Sequence, residues 1–349
     1  MLGGAAVGVF SRCLGAAAQG TPRYNDGFSN APTGMPPQFP DLLSGYVRRP
    51  PWKVAGVDYA VGYPASTVLT DWKNIPVGGS TGVSVFGAAR NIVRVDNKEN
   101  KSLDGIDFSL HDGATLYIVN SPGAIVSNCK FGGSSYSKIS GSIIGTDVSS
   151  PGLTVRNCII NGSGAGTGST LIFQRGGGTI VLKYNWLRNF PQHVLEIIDG
   201  NTTVDYQFNL IEDGAKREGA HLNYLQWGGG PCAATVQFNT SKQSPQLAGG
   251  EGYQFYFNSG GNMASPACAY NTMIAYAGGA AKSMSYMIHG IPDPSHPSAA
   301  GTVSGTPALY DNYFDISGAY GALYPRSFAG WTLANNWNMR TGMAITDSP

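Results

Sequence analysis

The chain has 349 residues and a net charge of +1, with 49 glycines, 42% hydrophobic residues and only 12% charged residues. So few charges argue against a helical bundle with charged outer faces, and that much apolar content argues against disorder. Near-neutrality leaves no electrostatic footprint for nucleic acid, and no apolar run reaches membrane-spanning length.

Residues 1–20 carry Ala16, Ala17 and Ala18 where a secretory leader would be cut. They lack a basic start, however, and Arg12 interrupts the apolar run, so a cleaved leader is not expected. Pro22, Pro32, Pro36, Pro37, Pro40, Pro50, Pro51 and Pro64 then keep the chain extended, with Tyr24, Phe28, Phe39, Tyr46 and Trp52 between them. Residues 1–64 therefore read as an extended, Pro-rich N-terminal arm without a core of its own. It must be held either by the chain's own β domain or by neighbouring chains. Residues 65–110 read as an opening and capping segment, residues 111–300 as regular coils, and residues 301–349 as irregular last coils with a C-terminal cap.

Short β-branched and apolar runs recur through the coil region, separated by Gly, Asn or Asp. A first strand starts at Thr115, Ser142, Thr170, Val194, Leu222, Tyr253 and Met284, in steps of 27, 28, 24, 28, 31 and 31. A second strand ends at a marker asparagine at Asn128, Asn157, Asn185, Asn209, Asn239 and Asn271, in steps of 29, 28, 24, 30 and 32. Asn312 and Asn336 continue this column less regularly. A unit that cannot bury its own apolar face must stack on its copies, so the expected class is an all-β solenoid.

With Val126-Ser-Asn-Cys-Lys-Phe131, Val155-Arg-Asn-Cys-Ile-Ile160 and the later Asn-plus-apolar turns, residues 80–340 resemble the right-handed parallel β-helix proteins. That superfamily includes pectate-lyase-like enzymes and phage tailspikes. The resemblance implies an asparagine at a tight bend, stacked on its copies in neighbouring coils. The physics is consistent with this, because Asn tolerates the left-handed conformation and its amide can bond along a stack. Cys129 and Cys158, each directly after a marker asparagine, are expected to stack as small buried hydrophobes. A Cys232–Cys268 bridge is the less favoured option. The five cysteines show no metal-ligand spacing, so neither a metal nor a cofactor is expected.

Alternation along the first strands assigns the third positions outward: Tyr117, Ile144, Ile172, Glu196, Tyr224, Phe255 and Tyr286. The fifth positions, which include Thr146, Gln174 and Gln226, go with them, whereas Leu116, Ile118, Ile143, Leu171, Phe173, Leu195 and Ile197 are assigned inward. Tyr117, Arg175, Tyr224, Gln226, Trp227 and Tyr286 are the candidate glycan-binding residues, since aromatic faces flanked by amides suit the C–H faces of sugars. The same ladder reads equally as a subunit contact or as a flat surface without a role.

Five of only 21 acidic residues fall within 23 positions: Glu196, Asp199, Glu212, Asp213 and Glu218. Glycoside hydrolysis needs two facing carboxyl groups, one of them protonated, and Glu196 with Asp199 or Glu218 would supply them. A lyase acting on a uronic acid needs a cation and a base, for which Arg175 or Arg217 with His221 are the candidates. No lyase signature is present.

Three functions follow. The first is a virion-associated spike or fibre, a homotrimer recognising a surface polysaccharide, with residues 1–64 binding other virion proteins. The second is a polysaccharide-cleaving lyase or glycoside hydrolase, phage-borne or secreted, and the third is a purely structural coat protein. The fold alone does not choose between them.

Overall fold

The computed structural model describes residues 31–86, 91–133, 141–162, 170–198, 201–214, 222–227, 232–244, 252–253, 255–256, 262–277, 284–290 and 301–346. They form an all-β solenoid in which each full coil contributes three strands to three long sheets. The first sheet runs through Val83–Phe86, Ile92–Asp96, Thr115–Val119, Ser142–Thr146, Thr170–Gln174, His193–Ile197, Leu222–Trp227 and Gly252–Tyr253. The second runs from Ser102–Asp104 through Gly178–Lys183 and Cys232–Gln237 to Thr332–Ala334, and the third from Thr70–Asp71 through Leu210–Glu212 to Trp337–Asn338. The sequence shows two strands per coil because the third is only two to four residues long and directly follows the bend, as in Ile159–Asn161.

Neighbouring strands along the stack are parallel and in register. Leu116, Ile144, Ile172, Leu195 and Leu225 are successive partners, in steps of 28, 28, 23 and 30 residues. Val126, Val155, Leu182, Tyr206, Val236, Cys268 and Leu309 form a second column on the next sheet. Every one of these side chains is fully buried. Each is worth about 1.5–3 kcal/mol of burial if as large as Val or Leu, and it is the stacking of coils that removes them from water. Val83–Phe86 is the exception to parallel order, because it folds back antiparallel on Ile92–Asp96 and so covers the first edge of its sheet.

The bend between the second and third sheets divides between two adjacent positions the roles that the sequence assigns to one asparagine. One position is left-handed in every coil: Asn128, Asn157, Tyr184, Phe208, Phe238, Tyr270, Asp311 and Asn335 all have φ between 52 and 58°. The next position carries Cys129 and Cys158, then Asn185, Asn209, Asn239, Asn271, Asn312 and Asn336. Those six asparagines form a buried ladder, the Nδ2 of each of the first five donating to the Oδ1 of the next at 2.9–3.0 Å. Cys129 and Cys158 occupy the ladder position as fully buried free thiols, and the Cys129 N–H donates to Cys158 Sγ at 3.4 Å. Cys232 and Cys268 are also buried free thiols. A left-handed aromatic residue costs about 1–2 kcal/mol in backbone strain. Stacking offsets this, since Tyr184, Phe208, Phe238 and Tyr270 lie ring on ring at centroid spacings of 4.8–5.1 Å.

Residues 31–64 lie against the chain's own solenoid. The Arg48 N–H donates to Met339 O in the last coil, and the Arg48 guanidinium covers the Trp337 ring at 3.1 Å. Trp52 then sets its ring edge-on to Phe238, Tyr270 and Tyr313, and Tyr59 meets Tyr184. The Gly62 N–H donates to Tyr184 O, and the Thr70 N–H reaches Gly105 O in the opening coil. The segment is thus a strap that runs from the last coil back to the first, over the stacked bend rings. Ala55, Val61 and Leu210, with Phe39, Tyr59 and Trp186, form a small second core between strap and third sheet. This explains why third-sheet strands such as Leu210–Glu212 and Thr272–Ala275 are buried along their whole length. They are covered on both faces. Of the two ways to hold residues 31–64, the chain's own β domain is the one the structure shows; residues 1–30 lie outside the described residues.

At the strap's far end a clasp closes over the last coil. The Asp315 carboxylate, with its side chain fully buried, accepts from the Tyr46 hydroxyl at 2.5 Å, from Arg340 Nε at 2.7 Å and from the Ser317 N–H at 3.0 Å. Burial alone would raise its pKa, but these donors outweigh it and hold the carboxyl below its usual range.

Candidate functional site

The outward face of the first sheet carries one register-aligned column: Arg94, Tyr117, Gly145, Phe173, Glu196 and Gln226. All five side chains in it are half-buried, as expected for groups standing on an open sheet. Arg94 is ion-paired to Asp96 at 2.7 Å. Gly145, itself buried, separates Tyr117 from Phe173, which stand two rungs apart, roughly 9–10 Å. Glu196 accepts a hydrogen bond from the Thr170 hydroxyl at 3.0 Å. Burial raises its carboxyl pKa, and the Thr170 bond only partly opposes this. The column therefore combines two aromatic faces, an amide and a carboxyl group whose pKa burial raises.

Several outward assignments change. Aligning strands by their first apparent residue is off by one at Ser142 and Thr170; at Leu222 it is off by two, which keeps the face and so does not account for the burial of Tyr224. A one-residue slip moves a side chain to the opposite face. Ile144 and Ile172 consequently point inward and are fully buried, while Phe173 points outward. Gln174 and Thr146 are interior polar groups, Gln174 donating to Ser150 O at 3.2 Å and Thr146 Oγ1 accepting from the Arg175 N–H at 3.1 Å.

Tyr224 is fully buried, with its ring edge-on to Phe190 and Phe255, and its hydroxyl has no hydrogen-bond partner among the described residues. Trp227 is 2% exposed in the same core. Neither ring is displayed at the surface, so the outward placement of both is corrected. Tyr117, Gln226 and Tyr286 are half-exposed and Arg175 is exposed at its strand's end. Tyr286 stands apart from the others, on a three-stranded sheet of Phe255–Tyr256, Met284–His289 and Ala319–Leu323.

The acidic cluster of the sequence separates in space. Glu212 belongs to the third sheet, where it accepts from Trp186 Nε1 at 3.1 Å and from Lys242 Nζ at 3.2 Å, beneath the strap's Phe39. Asp213 accepts from the Ser244 N–H at 2.8 Å. Both are structural partners of the next coil. Asp199, Glu218 and His221 lie outside the described residues, as does Arg217. His193 pairs in register with Asn223 and is 6% exposed.

Two concavities lie among the described residues, the larger of them at the Arg94 end of the column. One of about 550 Å³ adjoins the antiparallel cap at Gly78, Val83, Asp96 and Lys98, and one of about 220 Å³ lies at the clasp between Tyr46, Tyr276 and Arg340. Among the described residues no group of three or more His, Cys, Asp or Glu side chains is placed to hold a metal ion, and no helix is long and apolar enough to cross a membrane.

Fold and site together define a parallel β-solenoid with an open, register-aligned display face. No family model matches the chain, and comparisons with curated proteins and with solved structures find no match either.

Proposed function

We propose that the chain is a right-handed parallel β-helix of the spike or fibre type, whose first-sheet face recognises an extended surface polysaccharide. Right-handedness is supported by the strong preference of parallel crossover connections for that hand. The observation that carries the glycan reading is the column from Tyr117 to Gln226, which has ring, glycine, ring, carboxyl and amide at successive rungs. A polymer lying along the stack meets them in sequence. The virion setting, the trimer and the contact with other virion proteins rest on the resemblance to tailspikes. Within residues 31–64, such contacts are confined to the surfaces of the strap turned away from the solenoid.

The test is binding of labelled surface polysaccharides to the purified chain. Tyr117→Ala and Phe173→Ala should each weaken binding about 5–10-fold, equivalent to about 1 kcal/mol or more per ring. Undiminished binding in both variants would overturn the assignment.

A second reading, a glycoside hydrolase, is favoured by the raised pKa of Glu196, which suits a general acid. It requires a second carboxylate facing Glu196, the role expected of Asp199 or Glu218. Loss of depolymerisation in Glu196→Gln with binding retained would select this reading, and equal activity would remove it.

A further inference from the structure

Tyr320 is the most solvent-exposed aromatic side chain among the described residues, at 72%. It stands on the strand Ala319–Leu323, next to Gly321, which is the register partner of Tyr286. A Cβ on Gly321 would come within 3.1 Å of Cδ1 and Cε1 of Tyr286, so the Tyr286 ring lies across bare backbone. Tyr324 sets its ring edge-on to Tyr286 at 5.3 Å and is backed at 4.3 Å by His289, which is 1% exposed. Tyr320 flanks Tyr286 on another side, at 6.4 Å and a tilt of 39°. One ring is therefore fixed from below and at its edge, while a second, largely exposed, stands tilted beside it.

We propose that Tyr286, Tyr320 and Tyr324 form a second carbohydrate subsite that takes one hexopyranose ring. The C–H face of the sugar packs on Tyr286 and Tyr320, and the phenol hydroxyls meet its hydroxyl rim. The proposal rests on the glycan-binding reading above but uses a different sheet and different residues. The competing occupant is a second copy of the chain, because among the described residues Ala319–Leu323 pairs with Met284–His289 alone and leaves an edge. The strand does not suit that role. Its apolar side chains Ala319, Ala322 and Leu323 are 3, 4 and 8% exposed, which leaves Tyr320 as the outward apolar group. One aromatic ring buries roughly 150–250 Å², far below the roughly 1,000 Å² of a stable interface.

The experiment is saturation-transfer NMR and calorimetry with maltohexaose, cellohexaose, laminarihexaose and an oligogalacturonate. These are offered to the wild-type chain, Tyr320→Ala, Tyr320→Trp and Tyr117→Ala, with sedimentation velocity on each. The expected result is that one oligosaccharide binds, that Tyr320→Ala weakens it about tenfold, that Tyr320→Trp preserves it, and that sedimentation is unchanged. Binding lost in Tyr117→Ala but intact in Tyr320→Ala overturns this subsite and leaves the first-sheet site standing. Binding lost in Tyr320→Ala but intact in Tyr117→Ala supports the subsite and overturns the first-sheet site. No binding by any of the four sugars overturns both. A shift from oligomer to monomer in Tyr320→Ala overturns the subsite in favour of a contact between copies.

Discussion

Asn239, at the middle of the asparagine ladder, gives the sharpest test of how the coils are joined. Its Nδ2 donates to Tyr206 O at 2.8 Å and to Asn271 Oδ1 at 3.0 Å. Its Oδ1 accepts from the Asn209 N–H at 3.0 Å and from Asn209 Nδ2 at 2.9 Å. Asn239→Ala therefore takes partners from the Asn209 N–H and the Tyr206 carbonyl in a site with no access to water. Each orphaned group costs about 1–3 kcal/mol, so the variant should lose about 2–6 kcal/mol. Asn239→Asp keeps the shape but turns an oxygen toward Tyr206 O and Asn271 Oδ1. Its loss should be at least as large at neutral pH and should shrink on acidification as the new carboxyl takes up a proton. Equilibrium urea unfolding reads both, with Thr203→Ala on the exposed second-sheet face as the control, expected within about 0.5 kcal/mol of wild type. If Asn239→Ala also falls within that margin, the ladder is decoration and the reasoning fails.

Other consequences follow from the same geometry. Trp52→Ala removes the strap ring that meets Phe238, Tyr270 and Tyr313; it should cost about 3–5 kcal/mol and speed limited proteolysis within residues 40–60. Cys158→Asn extends the ladder by one rung, since the Cys158 N–H already donates to Asn185 Oδ1 and its Sγ already faces Val126 O. Its urea midpoint should match or exceed that of wild type. The lowered pKa of Asp315 means that its contribution is full above the unfolded carboxylate value and is lost as pH falls through the folded one. Wild type and Asp315→Asn should thus differ in urea midpoint at pH 7, and the difference should shrink as pH falls below the unfolded carboxylate value. Glu196 has the opposite sign, because burial raises its pKa and its ionisation opposes folding as pH rises. Glu196→Gln should therefore unfold at a higher midpoint than wild type at pH 7 and at the same midpoint below about pH 4.

The solenoid was legible because the bend repeats: an asparagine near each second-strand end marks coils whose spacing drifts only from 24 to 32 residues between Asn128 and Asn271. The register was not legible at single-residue precision. The loops between coils absorb or add residues, so apparent strand starts slip by one or two, enough to exchange Phe173 with Ile172 on the display face. The change of residue at the bend hid a further shift. At Asn128 and Asn157 an Asn occupies the left-handed position and Cys the ladder position; in the next four coils an aromatic residue and Asn occupy them, and in the last two Asp311 and Asn335 precede the ladder Asn. A count of aromatics directly before the marker asparagines (Tyr184, Phe208, Phe238, Tyr270) would have exposed it. The strap carried its own signal in the apolar run from Trp52 to Val61, although prolines and turns gave it no strand period. Of the acidic cluster, Glu196 lies on the first sheet and Glu212 on the third, while Asp199 and Glu218 lie outside the described residues.

The account depends most on which residues face each other along the first sheet. Paired cysteines introduced at Glu196 and Gln226, register partners on adjacent parallel strands, would lie roughly 4.8 Å apart, within disulfide reach. Under mild oxidation, Glu196→Cys with Gln226→Cys should form an intramolecular bridge, seen as a gel-mobility shift reversed by reductant. Glu196→Cys with Tyr224→Cys should form none, because residue 224 lies in the core. Bridging of the second pair and not the first would contradict the register and the binding face built on it.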